Sequence, residues 1–505
     1  MALHPLLLWL LLLLPPLLLL LNKINSLHKR HKNLPPGPPK LPIIGNLHQL
    51  GALPHHSLRR LSARYGPVML IHLCRTPTLI ISSVEAAKEV LKHHDLECCS
   101  RPLLTGPGRL SYNYLDIAFV PFGDYWREVR KLCVLELFSN KRVQSFRPVR
   151  EEEVALLVDS ISESAAAGSA VDLGEKSLTL LANITCRVAF GKSFTGSGID
   201  NGRFEEVIHE ALAMLGSFSA SDFFPTVGWV VDRITGLHRR MERSFKDLDG
   251  FYEQVIEEHL DRGRIEQDQE DIIDVLLRIE RDQAVSGALR ITKDHIKAIL
   301  MNIFLAGVDT GALTIVWAMA ELARDPRAMK KAQAEVRSYF ANKGRVAESE
   351  LDQLPFLKMV VKETLRLHPA NPILIPRETM SQFKLNGYNV YPKTRVHVNV
   401  WAIGRDPSLW ENPEEFFPER FANSSIDFKG QHYELLPFGA GRRGCPGIYM
   451  GATMVELALA NLLYHFDWKL PSGMKEEDLN MDEKAGLTVY KRSPLLLVPV
   501  KHVIS

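Results

Sequence analysis

The 505-residue chain lacks a surplus of either charge: 61 Lys and Arg stand against 59 Asp and Glu, a formal net charge of +2. A protein whose binding energy came from phosphate contacts would carry a basic excess, so no nucleic-acid partner is expected. Cysteine is scarce as well. The six, Cys74, Cys98, Cys99, Cys133, Cys186 and Cys445, show neither CxxC spacing nor the density of a disulfide scaffold, which points to free thiols in a reducing compartment. There is no internal repeat, no low-complexity stretch and, after Asn46, no change of composition. One large domain is therefore the simplest expectation. With 46% hydrophobic and 24% charged residues, disorder of the bulk is excluded.

The one long hydrophobic run at an end is residues 5–21, almost all Leu and uncharged. That is barely enough to span a bilayer core, which needs roughly 17 to 25 apolar residues. His4 is the one chargeable side chain before it and no small-residue cleavage site follows, so a retained anchor (residues 1–21) is favoured over a cleaved signal peptide. Lys23, Lys29, Arg30 and Lys32 follow at once and place the remaining chain in the cytosol by the positive-inside rule. Residues 22–46 continue through Pro35-Pro36-Gly37-Pro38-Pro39, a stiff, extended connector expected to orient the body (residues 47–505) against the membrane.

In that body, helical periodicity predicts long helices over Glu151 to Ser164, Gly202 to Leu215, Leu237 to Arg264, Lys293 to Arg324 and Pro446 to Phe466. Short β-type runs at Val68 to Leu73, Thr78 to Ile81 and Val396 to Val400 predict small sheets. The fold class expected is mainly α with small β-sheets.

Two segments carry chemistry. Phe438-Gly439-Ala440-Gly441-Arg442-Arg443-Gly444-Cys445-Pro446-Gly447 has four glycines in ten residues, which lets a backbone approach a flat ligand closely. A helix is expected right after Cys445, with Pro446 in its first turn; its amides and dipole would stabilise a thiolate. In the apolar segment Ile296 to Leu322, Ala306-Gly307-Val308-Asp309-Thr310 forms a polar island. Uncompensated polar groups in a buried helix are costly and need a partner or a function. The small Ala306 and Gly307 would leave room for a ligand, and Asp309 and Thr310 would hold water and relay protons.

Phe438, Gly441, Arg443, Cys445 and Gly447 match FxxGxRxCxG, and the chain resembles the cytochrome P450 superfamily from proline hinge to C-terminal strands. The resemblance implies a cytochrome P450 fold holding haem b, with Cys445 as axial ligand of the iron, Phe438 packed near it and Arg443 on a haem propionate. Trp126 and Arg130 in Trp126-Arg127-Glu128-Val129-Arg130 resemble the family's WRxxR helix, and Arg377 another propionate-binding arginine. The island resembles AGxDT, although Gly311 stands where plant members usually have Thr or Ser. Glu363 and Arg366 match ExxR and Arg420 lies in PERF, together implying an ion network that supports the haem pocket. By family position, substrate contacts come from Arg101 to Ile117, the region near Leu215 to Phe224, Asn302 to Ala306, Asn371 to Ile375 and Leu487 to Thr488. Tyr112, Leu215, Phe218, Ile303, Ile373, Leu374 and Leu487 are the candidates; Pro369-Ala370-Asn371-Pro372 departs from the usual double proline.

The resemblance is greatest to plant microsomal enzymes of specialised metabolism. It implies a single-pass protein of the endoplasmic reticulum membrane that inserts one oxygen atom from O2 into a small apolar metabolite. Electrons would come from NADPH through NADPH–cytochrome P450 reductase, with Arg127, Lys131 and Arg442 helping to form a basic face for that acidic partner. Two rivals remain at this point: a haem-thiolate isomerase or dehydratase that needs no NADPH, and a membrane-tethered haem-binding protein without catalysis. Intact Asp309 and Thr310 argue against both.

Overall fold

The computed structural model describes residues 33–193, 201–261, 270–286, 290–341, 343 and 346–502; the expected anchor and basic run lie outside them. Helix α1 (Pro54–Tyr65) leads into the antiparallel hairpin β1 (Val68–Leu73) and β2 (Thr76–Ile81), in which Val68 faces Ile81 and Leu73 faces Thr76. Next come α2 (Asp124–Leu132), α3 (Arg147–Ala166), β3 (Val171–Asp172), α4 (Leu173–Phe190), α5 (Asn201–Leu215), α6 (Gly228–Ile234) and α7 (Leu237–Leu260). After α8 (Lys293–Arg324), α9 (Pro326–Phe340) and α10 (Pro355–Leu367) the chain forms β4 (Arg377–Glu378), β5 (Phe383–Leu385), β6 (Tyr388–Val390) and β7 (Arg395–Val398). It closes with α11 (Ile448–His465), β8 (Phe466–Lys469), β9 (Glu483–Lys484), β10 (Tyr490–Lys491) and β11 (Leu496–Lys501).

The main sheet has the order β1-β2-β7-β4, with β7 parallel to β2 and antiparallel to β4. Central β2 buries Thr78, Leu79, Ile80 and Ile81 in succession, as a strand covered on both faces must. This pairing carries Arg377, some three hundred residues later, to the N-terminal sheet. A second sheet sets β11 between β3 and β8.

Helix α8 is the axis of the molecule. Its 32 residues span about 48 Å at the usual rise. Thr292 and His295 form its capping box, and Asp325-Pro326 ends it, because Pro326 has no N–H to continue the ladder and Asp325 accepts from the amides of Arg327 and Ala328 to start α9. Although long and apolar enough to cross a membrane, α8 has 78% of its most apolar window buried in the protein, so it is the core helix. Helix α4 packs along it at two glycines. A Cβ at Gly307 would stand 3.2 Å from Thr185 Oγ1, and one at Gly311 3.1 Å from Leu181 Cδ1.

Some boundaries differ from expectation. α11 starts at Ile448, with Gly447 as its N-cap, and ends at His465, because Phe466 opens β8 and pairs with Lys501. β7 stops at Val398, since Asn399 caps the turn Val400–Ile403 by accepting from the Ala402 amide at 3.0 Å. α7 ends at Leu260, and the continuation to Arg264 falls outside the described residues. The described proline segment lies against the body: Leu70 donates to Pro36 O at 2.8 Å, and Asn46 Oδ1 accepts from the His72 amide at 2.7 Å. Gly37 is needed there, because a Cβ would meet Leu70 O at 1.9 Å.

Candidate active site

The loop before α11 is shaped by glycines in the left-handed region, Gly439 at φ 66° and Gly441 at φ 68°. A Cβ at Gly441 would fall 2.4 Å from Leu91 O and 2.6 Å from Asp95 Oδ1, so only glycine fits. The Cys445 amide closes the loop on Phe438 O at 3.0 Å, and the Phe438 ring packs on Phe428 at 5.5 Å. Cys445 is exposed, unlike the other five cysteines, which are all buried. Yet its thiol is so enclosed by protein that burial raises its pKa. Two groups oppose the rise by favouring thiolate: the backbone amide of Gly447 and the Arg130 guanidinium. Donation thus comes from the N-cap residue rather than from a helical turn starting at Pro446.

Around this loop the fold gathers guanidinium groups. Arg443 donates to Cys99 O at 2.8 Å, Ile117 O at 3.3 Å and Val120 O at 2.7 Å, and lies 4.3 Å from the Trp126 ring centre. Trp126 Nε1 donates to the same Ile117 O at 3.2 Å, and Arg130 to Gly444 O at 2.5 Å. Arg377 donates to Ala440 O and Asp95 Oδ1, both at 2.7 Å, while Asp95 Oδ2 accepts from Arg442 at 2.8 Å. Arg101, buried, donates to the carbonyls of Ala118, Ile375 and Pro376. Burial pushes Arg443 down to about 9, with Arg377 and Arg130 adding repulsion, and burial, Arg443 and Arg377 likewise depress Arg101. The opposing carboxylates are Asp95, already shared, and Asp116, which burial pushes up to about 6. A guanidinium does not shed its proton inside a protein, so the excess positive charge calls for a further anion.

On α8, Ala306 is exposed midway along a helix that is mostly buried from Ile296 to Leu322, with Asn302, Ile303, Gly307 and Thr310 half-buried around it. Thr310 Oγ1 donates to Ala306 O at 2.8 Å. Gly307 faces Thr185, so its lack of a side chain serves the approach of α4, while Ala306 is the residue that leaves open space. Asp309 is 1% exposed. Its Oδ2 accepts from Thr488 Oγ1 at 2.7 Å and its Oδ1 from the Tyr490 hydroxyl. Burial raises the Asp309 pKa against these two donors.

Behind the site, Glu363 accepts from Arg366 at 2.7 and 2.8 Å, from Arg420 at 2.8 Å and from the Phe417 amide at 2.8 Å. Arg366 reaches on to the carbonyls of Gly404, Pro413 and Glu415, tying α10 to the chain that leads into the cysteine loop.

The substrate candidates divide. Leu374 abuts the loop, 3.8 Å from where a Gly439 Cβ would be, and Ile373 beside it is half-buried. Leu487 packs on Gly216, next to buried Leu215. Tyr112 instead donates to Asp249 Oδ1 at 2.7 Å on α7, and Phe218 is 52% exposed, stacked on Phe223. Sequence reasoning missed Asp95 and Tyr490; it put Arg101, Asp116 and Thr488 in substrate-contact stretches but missed the charge role of the first two and the bond of Thr488 to Asp309. No local spacing marks them, because each acts across more than a hundred residues of chain or within an irregular loop.

An exposed cysteine on a glycine-shaped loop, buried guanidiniums with few carboxylates near them and a helix exposed at one alanine form a donor set that fits haem b, with its iron and two propionates. The chain belongs to the cytochrome P450 family, whose sequence model matches residues 35–498. It is 58% identical to cytochrome P450 71B10 of Arabidopsis thaliana over 96% of this chain and 97% of that one. It is 57% identical to cytochrome P450 71B34 of the same plant over 98% and 99%. A zebra fish cytochrome P450 solved with abiraterone superposes with a TM-score of 0.74 at 26% identity, over 90% of this chain and all of that one. The protein is a haem-binding monooxygenase.

Proposed function

We propose that the protein inserts one atom of O2 into a small apolar plant metabolite, terpenoid, phenolic or amino-acid-derived, as a microsomal enzyme of specialised metabolism. One observation carries the reading: exposed Cys445 sits on a glycine-shaped loop among buried arginines that bond to backbone carbonyls, with Asp95 and Asp116 as the opposing carboxylates. When bound, haem supplies an iron whose thiolate ligand favours O–O cleavage. Cys445 ligates it through a sulfur that the Gly447 amide stabilises, on the loop shaped by Phe438 and Gly441. Trp126, Arg130, Arg377 and Arg443, which donate to backbone carbonyls around the loop, would hold the propionates. Ala306 gives the ligand room beside α8, while Gly307 lets α4 pack close. Thr310, whose hydroxyl donates to Ala306 O, would hold a water beside the bound group, and Asp309, which burial biases toward its neutral form, would hold a proton one residue away. Glu363, Arg366 and Arg420 keep the pocket's rear wall in place. Ile303, Ile373, Leu374, Leu487 and Leu215 offer the apolar lining, with Tyr112 and Phe218 further out.

The protein is anchored in the endoplasmic reticulum membrane by residues 1–21, followed by the hinge 22–46 and the catalytic domain 47–505 facing the cytosol. Exposed Val227, Trp229, Val230, Val231 and Ile234 around α6, and Leu41, Ile43 and Ile44 of the proline segment, support contact with lipid. NADPH–cytochrome P450 reductase docks on a face that includes Arg127, Lys131 and Arg442. The test is mass-spectrometric product analysis of membranes holding the protein and a plant reductase, fed a metabolite panel. A product one oxygen atom heavier, formed only with NADPH, is expected; a rearranged product without NADPH would replace this reading with the isomerase one.

A further inference from the structure

Asp309 is held from a single segment of the C-terminal hairpin. Thr488, in the bend between β9 and β10, and Tyr490, which opens β10, each donate to one of its carboxyl oxygens. Turning the carboxyl toward Thr310 therefore breaks two hydrogen bonds at once. The residue between them is gripped as well: Val489 O accepts from Trp317 Nε1 at 3.2 Å, two turns along α8 from Asp309, and Val489 N donates to Ala370 O at 3.0 Å. Immediately before comes Leu487, packed on Gly216. Residues 487–490 thus connect the α5 end, the Ala370 loop and Asp309 in four consecutive positions. On the outer side the exposed His209 ring of α5 stands 5.7 Å from the Tyr490 ring. Tyr490 and Thr488 from the hairpin and His209 from α5 are the titratable or polar groups that face this carboxyl.

We propose that Tyr490 is a positioning residue that, with Thr488, keeps the Asp309 carboxyl turned onto the hairpin, so that the seating of the hairpin governs whether Asp309 serves the oxygen site. The proposal rests on the monooxygenase reading above. Its physical content is simple: a carboxyl with both oxygens occupied is fixed, and one that loses a donor is freer and more readily protonated. A substrate that presses on Leu487 moves the segment bearing both donors, which couples occupancy of the pocket to proton supply.

The experiment uses the full-length haem-loaded protein, its Tyr490→Phe and Thr488→Val variants, and Asp309→Asn to identify the Asp309 band in the infrared. The carboxylic C=O stretch is titrated without substrate, and NADPH oxidation and hydrogen peroxide release with reductase are followed in H2O and D2O. Tyr490→Phe is expected to move the Asp309 titration up by about one unit or more and to change the peroxide released per NADPH and the solvent isotope effect at least twofold. Thr488→Val does the same more weakly, and is read alone if Tyr490→Phe does not hold haem. An unshifted band together with an unchanged isotope effect overturns the proposal. If the protein oxidises no NADPH with reductase, the monooxygenase reading falls, while the infrared titration still decides whether Tyr490 holds Asp309.

Discussion

At the scale of single residues, the six cysteines show how surroundings divide one side chain into two roles. Burial pushes Cys98 and Cys133 up to about 12, where a thiol is an inert, weakly polar hydrophobe. Cys445 alone combines accessible surface with an amide donor and a guanidinium nearby. Cys445→Ala should abolish the thiolate-type carbon monoxide difference spectrum while leaving the protein folded, and a retained spectrum would refute the ligand assignment. Arg443 spends its donors on three carbonyls and stacks on Trp126, so its charge has no carboxylate bonded to it. Arg443→Gln should lower haem content several-fold, read as the Soret-to-protein absorbance ratio of purified protein, with far-ultraviolet circular dichroism unchanged. Cys445 and Arg443 were legible in the sequence because five fixed positions coincide in ten residues. Arg101, Asp95 and Asp116 were not, since what matters about them is which distant charges the fold brings near.

At the scale of elements, the buried network on α10 shows why a weak local pair becomes a strong support. On an exposed helix, Glu363 and Arg366 three apart would contribute about 0.2 to 0.5 kcal/mol. Here Glu363 is buried and shared by Arg366, Arg420 and the Phe417 amide, so removing its charge strands two guanidiniums. Glu363→Gln should cost about 3 to 5 kcal/mol and yield little haem-loaded protein, measured by urea unfolding and haem content. On β7, burial pushes His397 down to about 4. The unfolded imidazole binds a proton near pH 6.5 and the folded one near 4, so between these values the unfolded state holds more protons and stability falls as the pH falls. Up to about 3 kcal/mol is lost across that window, and His397→Gln should flatten the slope of the melting temperature between pH 6.5 and 4. The bounds of α8 were readable because Asp325-Pro326 is an unambiguous stop, whereas α11 starts later than Pro446 suggests because the Gly447 amide turns to the sulfur. Asp309 could be placed on its helix but not on its partners, since Thr488 and Tyr490 reach it across about 180 residues.

At the scale of the whole molecule, charge balance and apolar surface decide how the body meets its surroundings. A net charge of +2 gives no general attraction to an anionic membrane, so contact has to come from local apolar area. Ile234 is 80% exposed and Trp229 53%, both on the short helix α6, with Val231 and Val230 between them. A soluble surface does not gather such side chains on two turns without something to cover them. An indole at that position suits the membrane interface, where its ring is buried and its N–H stays hydrated. In the full-length protein on vesicles carrying brominated acyl chains, Trp229 emission, taken as the difference between parent and Trp229→Phe, should be quenched by half or more. Ile234→Asp should relieve most of that quenching, because a charge at the most exposed apolar position opposes insertion, while the proposed anchor of residues 1–21 would still hold the chain on the membrane. If the emission were unquenched in the parent, the body would stand clear of the lipid on its proline hinge, and the apolar face of α6 would have to be covered by protein instead.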